Sequence, residues 1–362
     1  MESSPSTKMI YRYLGNSGIK VSLLSMGTML VDYSAENEKT WLECAKYAKE
    51  AGVNYFDSAE MYGYGKGDEL LGRAIKENEW RREDLVIAVK VFFGNNVNAI
   101  GLSRKKIIEA TKSSLKRMDL EYCDIVYAHT FDPETPLEET CRAFNWLIKK
   151  GYALYWGTSS WPEDLIMKAI KLCDEKGWDR PIVEQYKVEK GYERLSKEYG
   201  YGFAARSSLA SGILSGKYNN DTIPKDSRFG KNESLKEIAW LKYFPEETKD
   251  ETLEALKKFS DLAEENKATP SQLALAWITS NKDIHTCIFG ASSLDQCKEN
   301  LDSLETTVNW NEDLEKKVNE IFKNQPIPGF DAKKWSLMPP RRDQRLNLEL
   351  KLGEIQYKSD YV

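Results

Sequence analysis

Four ionisable side chains stand in or just after short apolar runs of the chain. Asp57 follows the second run, Lys90 lies within the third, His129 closes the fourth, and Tyr62 lies in the loop after Asp57. A lone buried charge is costly, so Asp57 and Lys90 are expected to pair. The Lys90 charge would then favour the phenolate of Tyr62, whose pKa is otherwise about 10, and would make that phenol a usable proton donor. His129 could hydrogen-bond a carbonyl oxygen and steer it toward Tyr62.

The elements that must position these residues alternate in type from residue 20 to about residue 300. Apolar runs that predict strands cover residues 23–27, 53–57, 85–91, 123–129, 153–159, 181–185, 202–207 and 286–292. They are apolar on both faces, as buried parallel strands are. Eight strands that alternate with helices predict a (β/α)8 TIM barrel, in which functional residues cluster at the C-terminal ends of strands.

Helical periodicity is clear between the predicted strands. Residues 103–118 carry one apolar stripe, and Leu137, Cys141, Phe144 and Ile148 fall on a single helical face. A doubly wound sheet would instead need a G-x-G-x-x-G motif directly after the first strand, and the sequence has none. The periodicity therefore favours the barrel.

Three segments stand outside this alternation. Residues 10–14 and 19–22 flank an Asn-Ser-Gly turn and predict a β-hairpin that caps the barrel floor. Residues 219–266 are too long for a simple connection and predict an excursion with a helix from Thr252 to Glu264. After Asn324 the chain is rich in proline and charge, so we divide it into a barrel, residues 1–325, and a C-terminal extension, residues 326–362, bound to a partner or to the surface.

Composition narrows the function classes. The formal net charge is -5 without a sustained basic block, so nucleic-acid binding is not expected. No stretch has the ~20 apolar residues of a membrane-spanning helix, and the polar N-terminus has no signal-peptide pattern. Six scattered cysteines without metal-ligand spacing predict buried free thiols in a reducing, cytoplasmic compartment.

A family resemblance extends over about residues 10–324. The segment NYFDSAEMYG at 54–63 closely resembles the aldo-keto reductase signature around its catalytic Asp and Tyr. IAVK at 87–90 resembles the lysine strand of that superfamily, and residues 124–129 resemble its histidine strand. DPETPLEET at 132–140 and YWGTS at 155–159 are most similar to the β subunits of voltage-gated potassium channels and their microbial relatives.

The resemblance implies a role for each of the four ionisable residues. Tyr62 would be the general acid, Lys90 would adjust its pKa, Asp57 would be the partner of Lys90, and His129 would orient the carbonyl. Channel β subunits often carry Asn where this chain has His129. The complete set of four therefore favours reductase chemistry.

The resemblance also implies an NADP(H) site. Thr28 would lie near the nicotinamide, with Ser159 and Gln185 on its carboxamide. Residues 207–218 resemble the pyrophosphate-binding belt, and residues 290–300 resemble the adenosine end with its 2′-phosphate ligands. The implied cofactor contacts are Thr28, Asp57, Ser159, Gln185, Arg206, Leu209, Ser211, Lys217, Arg228, Gly290, Ser292, Gln296, Glu299 and Asn300.

Two positions depart from the family pattern. Arg206 stands where an aromatic residue usually stacks on the nicotinamide, and it brings positive charge beside a ring that is itself cationic when oxidised. The family loop after Gln185, which walls the nicotinamide pocket, is shortened, so Tyr186 leads almost directly into the sixth helix. Either departure could open the pocket or weaken cofactor binding.

Two functions follow from these observations. The first is an NADPH-dependent reductase that converts an aldehyde or ketone to an alcohol. The second is a weakly active or inactive barrel that serves a larger assembly, such as a channel or the cytoskeleton, through residues 326–362. A metal enzyme is a distant third, because the chain has two histidines and no ligand spacing.

Overall fold

The computed structural model describes residues 8–30, 32–186, 192–220, 222–225, 227–231 and 240–323. The predicted C-terminal extension, the boundary at residue 325 and the shortened loop at residues 187–191 lie outside the described residues.

Eight parallel strands form a closed barrel and confirm the predicted architecture. Around the barrel the order is β10-β3-β4-β5-β6-β7-β8-β9, so each strand pairs with its neighbour in sequence and β10 closes onto β3. The strands are β3 Leu24–Gly27, β4 Tyr55–Asp57, β5 Val86–Val91, β6 Cys123–Ala128, β7 Ala153–Ser159, β8 Val183–Tyr186, β9 Gly202–Ala205 and β10 Thr286–Phe289. Several are shorter than predicted at one end, because the predicted runs extend beyond the ladder hydrogen bonds that define the strands.

Helices surround the barrel, and capping residues define where several of them begin. Ser103 accepts a hydrogen bond from the Lys106 backbone, and Thr269 forms a capping box with Gln272. The longer described helices are Ala35–Glu50, Lys66–Glu77, Arg104–Met118, Leu137–Lys149, Glu163–Lys176, Glu193–Tyr199, Lys249–Glu265, Pro270–Ser280, Leu294–Val308 and Glu312–Phe322. None of the helices in the described part of the chain is long and apolar enough to cross a membrane.

The predicted hairpin covers the N-terminal end of the barrel. Strands β1 Tyr11–Tyr13 and β2 Lys20–Ser22 pair antiparallel. Leu14 and Val21 are fully buried and pack against the inner faces of the barrel strands. The hairpin therefore closes the floor and leaves the C-terminal strand ends as the open mouth.

The excursion between β9 and β10 has a small core of its own. It contains a 3₁₀ segment, Ala210–Ser215, and the short helices Arg228–Lys231 and Leu241–Tyr243. Trp240 stacks on Phe244 with ring centroids 4.2 Å apart, and Tyr218 packs edge-on against Phe229. The helix predicted at 252–264 extends slightly further in both directions, as Lys249–Glu265.

Candidate active site

A buried ion pair occupies the mouth of the barrel. Lys90, near the end of β5, contacts Asp57, the last residue of β4, and both side chains are almost fully buried. Gln185, on β8 at the opposite side of the barrel, donates from Nε2 to Asp57 Oδ1 at 2.7 Å. The closed barrel alone brings these three residues together, because Asp57 and Gln185 are 128 positions apart in sequence.

Tyr62 and His129 complete the cluster. Lys90 Nζ lies 4.9 Å from the centroid of the Tyr62 ring, and the Tyr62 and His129 rings meet edge to face at 6.2 Å. Phe93 packs edge-on against the other side of His129 at 5.2 Å. The four residues predicted to act together therefore form a chain of contacts that runs from Asp57 through Lys90 and Tyr62 to His129.

Burial and the local charges set the protonation states of this cluster. Loss of water raises the pKa of Tyr62 above its usual value, while the Lys90 charge opposes that rise. The expected lowering by Lys90 is present, but burial outweighs it, so Tyr62 is a protonated phenol. Burial, followed by the charges of Lys90 and Arg206, holds the pKa of His129 well below its usual range. A neutral histidine and a protonated phenol that lie side by side can each donate a hydrogen bond to the same oxygen atom of a ligand.

Three of the predicted cofactor residues lie around this cluster. Thr28 follows β3, and its backbone N–H donates to the Asp57 carbonyl at 2.9 Å. Ser159 ends β7 opposite Gln185, and its buried Oγ has no hydrogen-bond partner among the described residues. Arg206 follows β9 and donates from Nη2 to Ser160 Oγ at 2.8 Å.

The predicted pyrophosphate belt lies on the excursion. Leu209 and Ser211 enter the 3₁₀ segment, where Ser211 adopts a left-handed φ of 60°. Lys217 is exposed, whereas Arg228 is partly buried and its Nε lacks a hydrogen-bond partner within the described residues. Arg228 is close enough to Tyr62 for the two to interact electrostatically, and burial lowers the pKa of its guanidinium. The charge of Arg228 therefore acts on the end of the barrel that holds Tyr62.

The predicted adenosine end forms a second cluster at the start of helix Leu294–Val308. Gln296 Oε1 accepts from Ser292 N at 3.0 Å and from Ser292 Oγ at 2.8 Å. Asn300 donates from Nδ2 to the carbonyl of exposed Gly290 at 3.3 Å. Glu299 differs from the others in that its Oε1 accepts from Thr269 Oγ1 at 2.6 Å, on the capping box of the preceding helix.

Sequence analysis missed a buried carboxyl beside the mouth, Glu184. Its Oε2 accepts from Thr158 Oγ1 at 2.6 Å and its Oε1 from the Trp161 backbone at 3.3 Å. Burial raises the pKa of Glu184 to about 7. A charged residue inside a strand that is predicted to be buried, VEQY, was the signal that could have identified it. Glu184 positions the loop that carries Ser160, the partner of Arg206.

Comparison with known proteins identifies a family whose model matches most of the chain. Residues 23–318 match the model of the aldo/keto reductase family. The chain is 39% identical over 330 residues to a probable voltage-gated potassium channel subunit beta of Arabidopsis thaliana, and the alignment covers 88% of this chain and 98% of that protein.

Two further relatives are similar over the same share of the chain. A probable voltage-gated potassium channel subunit beta of Oryza sativa subsp. japonica is 38% identical, with coverage of 88% of this chain and 98% of the relative. A putative voltage-gated potassium channel subunit beta of Schizosaccharomyces pombe is 40% identical, with coverage of 88% and 94%.

Proposed function

The chain belongs to the aldo/keto reductase family, and from that membership we propose that it reduces an aldehyde or ketone to an alcohol with NADPH. The observation that carries the proposal is the contact of Asp57, Lys90, Tyr62 and His129 at the mouth of the barrel. A scaffold protein has no need to keep a buried ion pair beside a protonated phenol.

Each residue of the cluster has a distinct task. Tyr62, as a protonated phenol, gives its proton to the carbonyl oxygen. Lys90 stabilises the phenolate that remains, and Asp57 balances the Lys90 charge. Neutral His129 donates a hydrogen bond that orients the same carbonyl oxygen. A nicotinamide cofactor held at this mouth would supply the hydride for the carbonyl carbon, and solvent would return a proton to Tyr62.

Unfilled hydrogen-bonding groups support a nicotinamide cofactor at this mouth. Ser159 Oγ and Arg228 Nε are buried without partners among the described residues, so each can bind a polar group of a ligand. Ser159 and Gln185 would hold the carboxamide, with Thr28 beside the ring. Arg228 and Lys217 would meet the pyrophosphate, together with Leu209 and Ser211 on the belt.

A preference for NADPH over NADH is the finer part of the proposal. Ser292, Gln296 and Asn300 cluster around exposed Gly290, where the N-terminus of helix Leu294–Val308 suits a phosphate. Glu299 would act through Thr269 and the helix start rather than as a direct charge on the ligand.

Because all six cysteines are free and buried, we place the protein in the cytoplasm.

The test compares the protein with its Tyr62→Phe variant. NADPH oxidation is followed at one wavelength with a small panel of aromatic aldehydes, and NADPH binding is followed by tryptophan quenching. We expect turnover to fall by about a hundredfold to ten-thousandfold in Tyr62→Phe with NADPH affinity unchanged, because only the proton donor is removed. Equal turnover of the two proteins would remove Tyr62 from the mechanism.

A second candidate function rests on the three relatives whose names describe potassium channel β subunits. In that case the barrel is an accessory subunit of a membrane-protein assembly, and residues 326–362 contact the partner. The departure at Arg206 favours this candidate, because it changes the nicotinamide pocket. Stoichiometric copurification of a partner that is lost on deletion of residues 326–362, without NADPH turnover, would support it over the reductase.

A further inference from the structure

A second buried ion pair lies beside the mouth of the barrel. Lys106, on helix Arg104–Met118, donates from Nζ to Glu60 Oε2 at 2.6 Å. Glu60 lies in the short segment between the end of β4 and Tyr62. The two side chains are only 6% and 10% exposed. Neither residue is one of the four that are proposed to act on the carbonyl.

This pair holds the loop that follows β5. Glu60 Oε1 accepts from the Phe92 backbone N–H at 2.6 Å, and Lys106 Nζ also donates to the Phe93 carbonyl at 3.4 Å. Two successive residues of the loop are therefore bound by the two members of one ion pair. The Glu60 backbone N–H in turn donates to the Lys90 carbonyl at 3.2 Å, which joins the pair to the strand that carries Lys90.

Phe93 links the ion pair to the reacting groups. Its ring packs edge to face against His129, with the ring centroids 5.2 Å apart and the planes at 82°. Tyr62 contacts the same imidazole at 6.2 Å and 85°. His129 Nδ1 is buried and has no hydrogen-bond partner among the described residues. Because no hydrogen bond to Nδ1 orients the imidazole there, the neighbouring rings do so.

Net stability is a weak reason for such a pair. Two charges that are removed from water lose hydration free energy, and their mutual attraction often repays no more than that loss. Two apolar side chains could fill the same space, but they could not bind the Phe92 N–H and the Phe93 carbonyl. What the pair supplies is a fixed backbone at Phe92 and Phe93.

We propose that Lys106 and Glu60 are positioning residues for His129: they fix Phe93, and Phe93 holds the imidazole at the angle at which it donates to the carbonyl oxygen. This inference rests on the proposed reductase function and adds to it two residues that act through a third. Loss of the pair should slow the chemical step and leave NADPH binding unchanged. A displacement of about 1 Å at a reacting group can cost about a hundredfold in rate.

The first test is a double-variant cycle in turnover. Lys106→Met should lower kcat by about tenfold to a hundredfold, with the KM for NADPH changed by less than about twofold. In the His129→Gln protein the oriented group is already absent, so the further change Lys106→Met should lower kcat by less than about twofold. Equal losses in the two backgrounds would show that Lys106 does not act through His129 and would overturn the proposal.

The matched control for this cycle is Lys105→Met. Lys105 pairs with Glu109 on the exposed face of the same helix, so its loss removes the same charge, and kcat should stay within about twofold. Lys106→Arg keeps the charge and the donors, and it should recover part of the loss in kcat. If Lys106→Met does not fold, Phe93→Leu takes its place in the cycle with the same expected result, because it removes the ring and leaves the ion pair intact.

The second test needs no turnover. The chain has two histidines, His129 and His285, so isotope-labelled histidine gives two Cε1–H signals in a nuclear magnetic resonance spectrum. His129→Gln assigns them by removing one. Lys106→Met should shift or broaden the His129 signal, because the Phe93 ring is no longer fixed beside it, and should leave the His285 signal in place. An unchanged His129 signal would contradict the proposal.

The two tests separate failure of the inference from failure of the proposed function. A His129 signal that depends on Lys106, in a protein that turns over no aldehyde, would keep the positioning of the imidazole and reject the reductase. Turnover of aldehydes by the parent protein, with an unchanged His129 signal in Lys106→Met, would keep the reductase and reject the inference.

Discussion

The phenols and the carboxylate below the mouth of the barrel are paired within the chain, whereas several buried polar atoms at the mouth are not. In the barrel interior, Tyr55 and Tyr127 hydrogen-bond each other at 2.8 Å. At the floor, Asp124 accepts from Arg82 and from the Ile87 backbone, each at 2.7 Å, although Arg82 Nε and Thr286 Oγ1 have no partner among the described residues. At the mouth, four buried atoms have no hydrogen-bond partner among the described residues: Ser159 Oγ, His129 Nδ1, Arg206 Nε and Arg228 Nε.

This difference separates groups that hold the barrel together from groups that are available to a ligand. A buried polar atom without a partner destabilises the fold, so the group of such atoms at the mouth is available to a ligand that supplies partners. Below the mouth, the Asp124 carboxylate and the two tyrosine hydroxyls already have partners within the chain. The following predictions test this division, and they are arranged from the largest expected effect to the smallest.

The largest effect is expected from the double variant Asp57→Asn with Lys90→Met. Turnover should fall about a thousandfold, which is about 4 kcal/mol in activation free energy, because the phenolate loses its cation. The free energy of unfolding should stay the same or rise, since both buried charges are removed together. Turnover and urea unfolding are measured on the same preparation. A double variant with a lower free energy of unfolding and normal turnover would show that Asp57 and Lys90 stabilise the fold and do not serve the reaction.

The floor should respond in the opposite way when Arg82 is replaced by Met. Arg82 is partly buried, and its loss leaves the Asp124 carboxylate without its cation. The free energy of unfolding should fall by about 3 kcal/mol, with turnover per folded molecule unchanged. Arg81→Met is the matched control. Arg81 pairs with Glu83 at the exposed surface, and this pair should contribute little to the free energy of unfolding.

A smaller, pH-dependent effect is expected from Glu184 at the mouth. Because burial raises its pKa from 4.5 to about 7, the folded protein keeps a proton that the unfolded chain has already released. The stability from this group is present at low pH and is lost as pH rises through 7. Relative to Glu184→Gln, the protein should lose about 2 kcal/mol of unfolding free energy between pH 5.5 and pH 8. A pH-independent difference between the two proteins would contradict the shifted pKa.

The smallest effect is expected at the tyrosine pair in the barrel interior. Tyr127→Phe leaves the buried Tyr55 hydroxyl without its partner and should cost about 1 kcal/mol of stability. Adding Tyr55→Phe removes the unpaired group and should restore most of that loss. Thermal unfolding of the single and double variants measures both steps, and additive losses would show that the hydroxyl pair is not the cause.

Much of this fold could be predicted from the sequence, because its signals are local. All eight barrel strands occur where apolar runs predicted them, and the hairpin and the excursion helix are also confirmed. The ends of strands were less accurate: the run at 286–292 continues beyond the strand Thr286–Phe289. Apolar character reports burial, whereas a strand ends where its ladder hydrogen bonds end.

The candidate site was predictable in its residue types and less so in its contacts. For Glu299, which was expected at the ligand, the structure adds a contact that the sequence did not predict, since its Oε1 accepts from the Thr269 hydroxyl, and its role toward a ligand stays a prediction. Glu184 was not predicted, because its role depends on Thr158 and on the loop after β7, which are distant in sequence. The roles of the cofactor residues stay predictions until ligand binding is measured.

The sequence by itself determined which side chains end which strands, since periodicity and strand length are set over a few residues. It thereby placed Asp57, Lys90 and His129 at one end of the barrel. Only the tertiary structure decided how these groups affect each other. Closure of the barrel brings Gln185 onto Asp57, removes water from Tyr62 so that burial outweighs Lys90, and buries Arg206 Nε without a partner among the described residues. Solvation and charge balance depend on every neighbour in space, and those neighbours come from strands far apart in the chain.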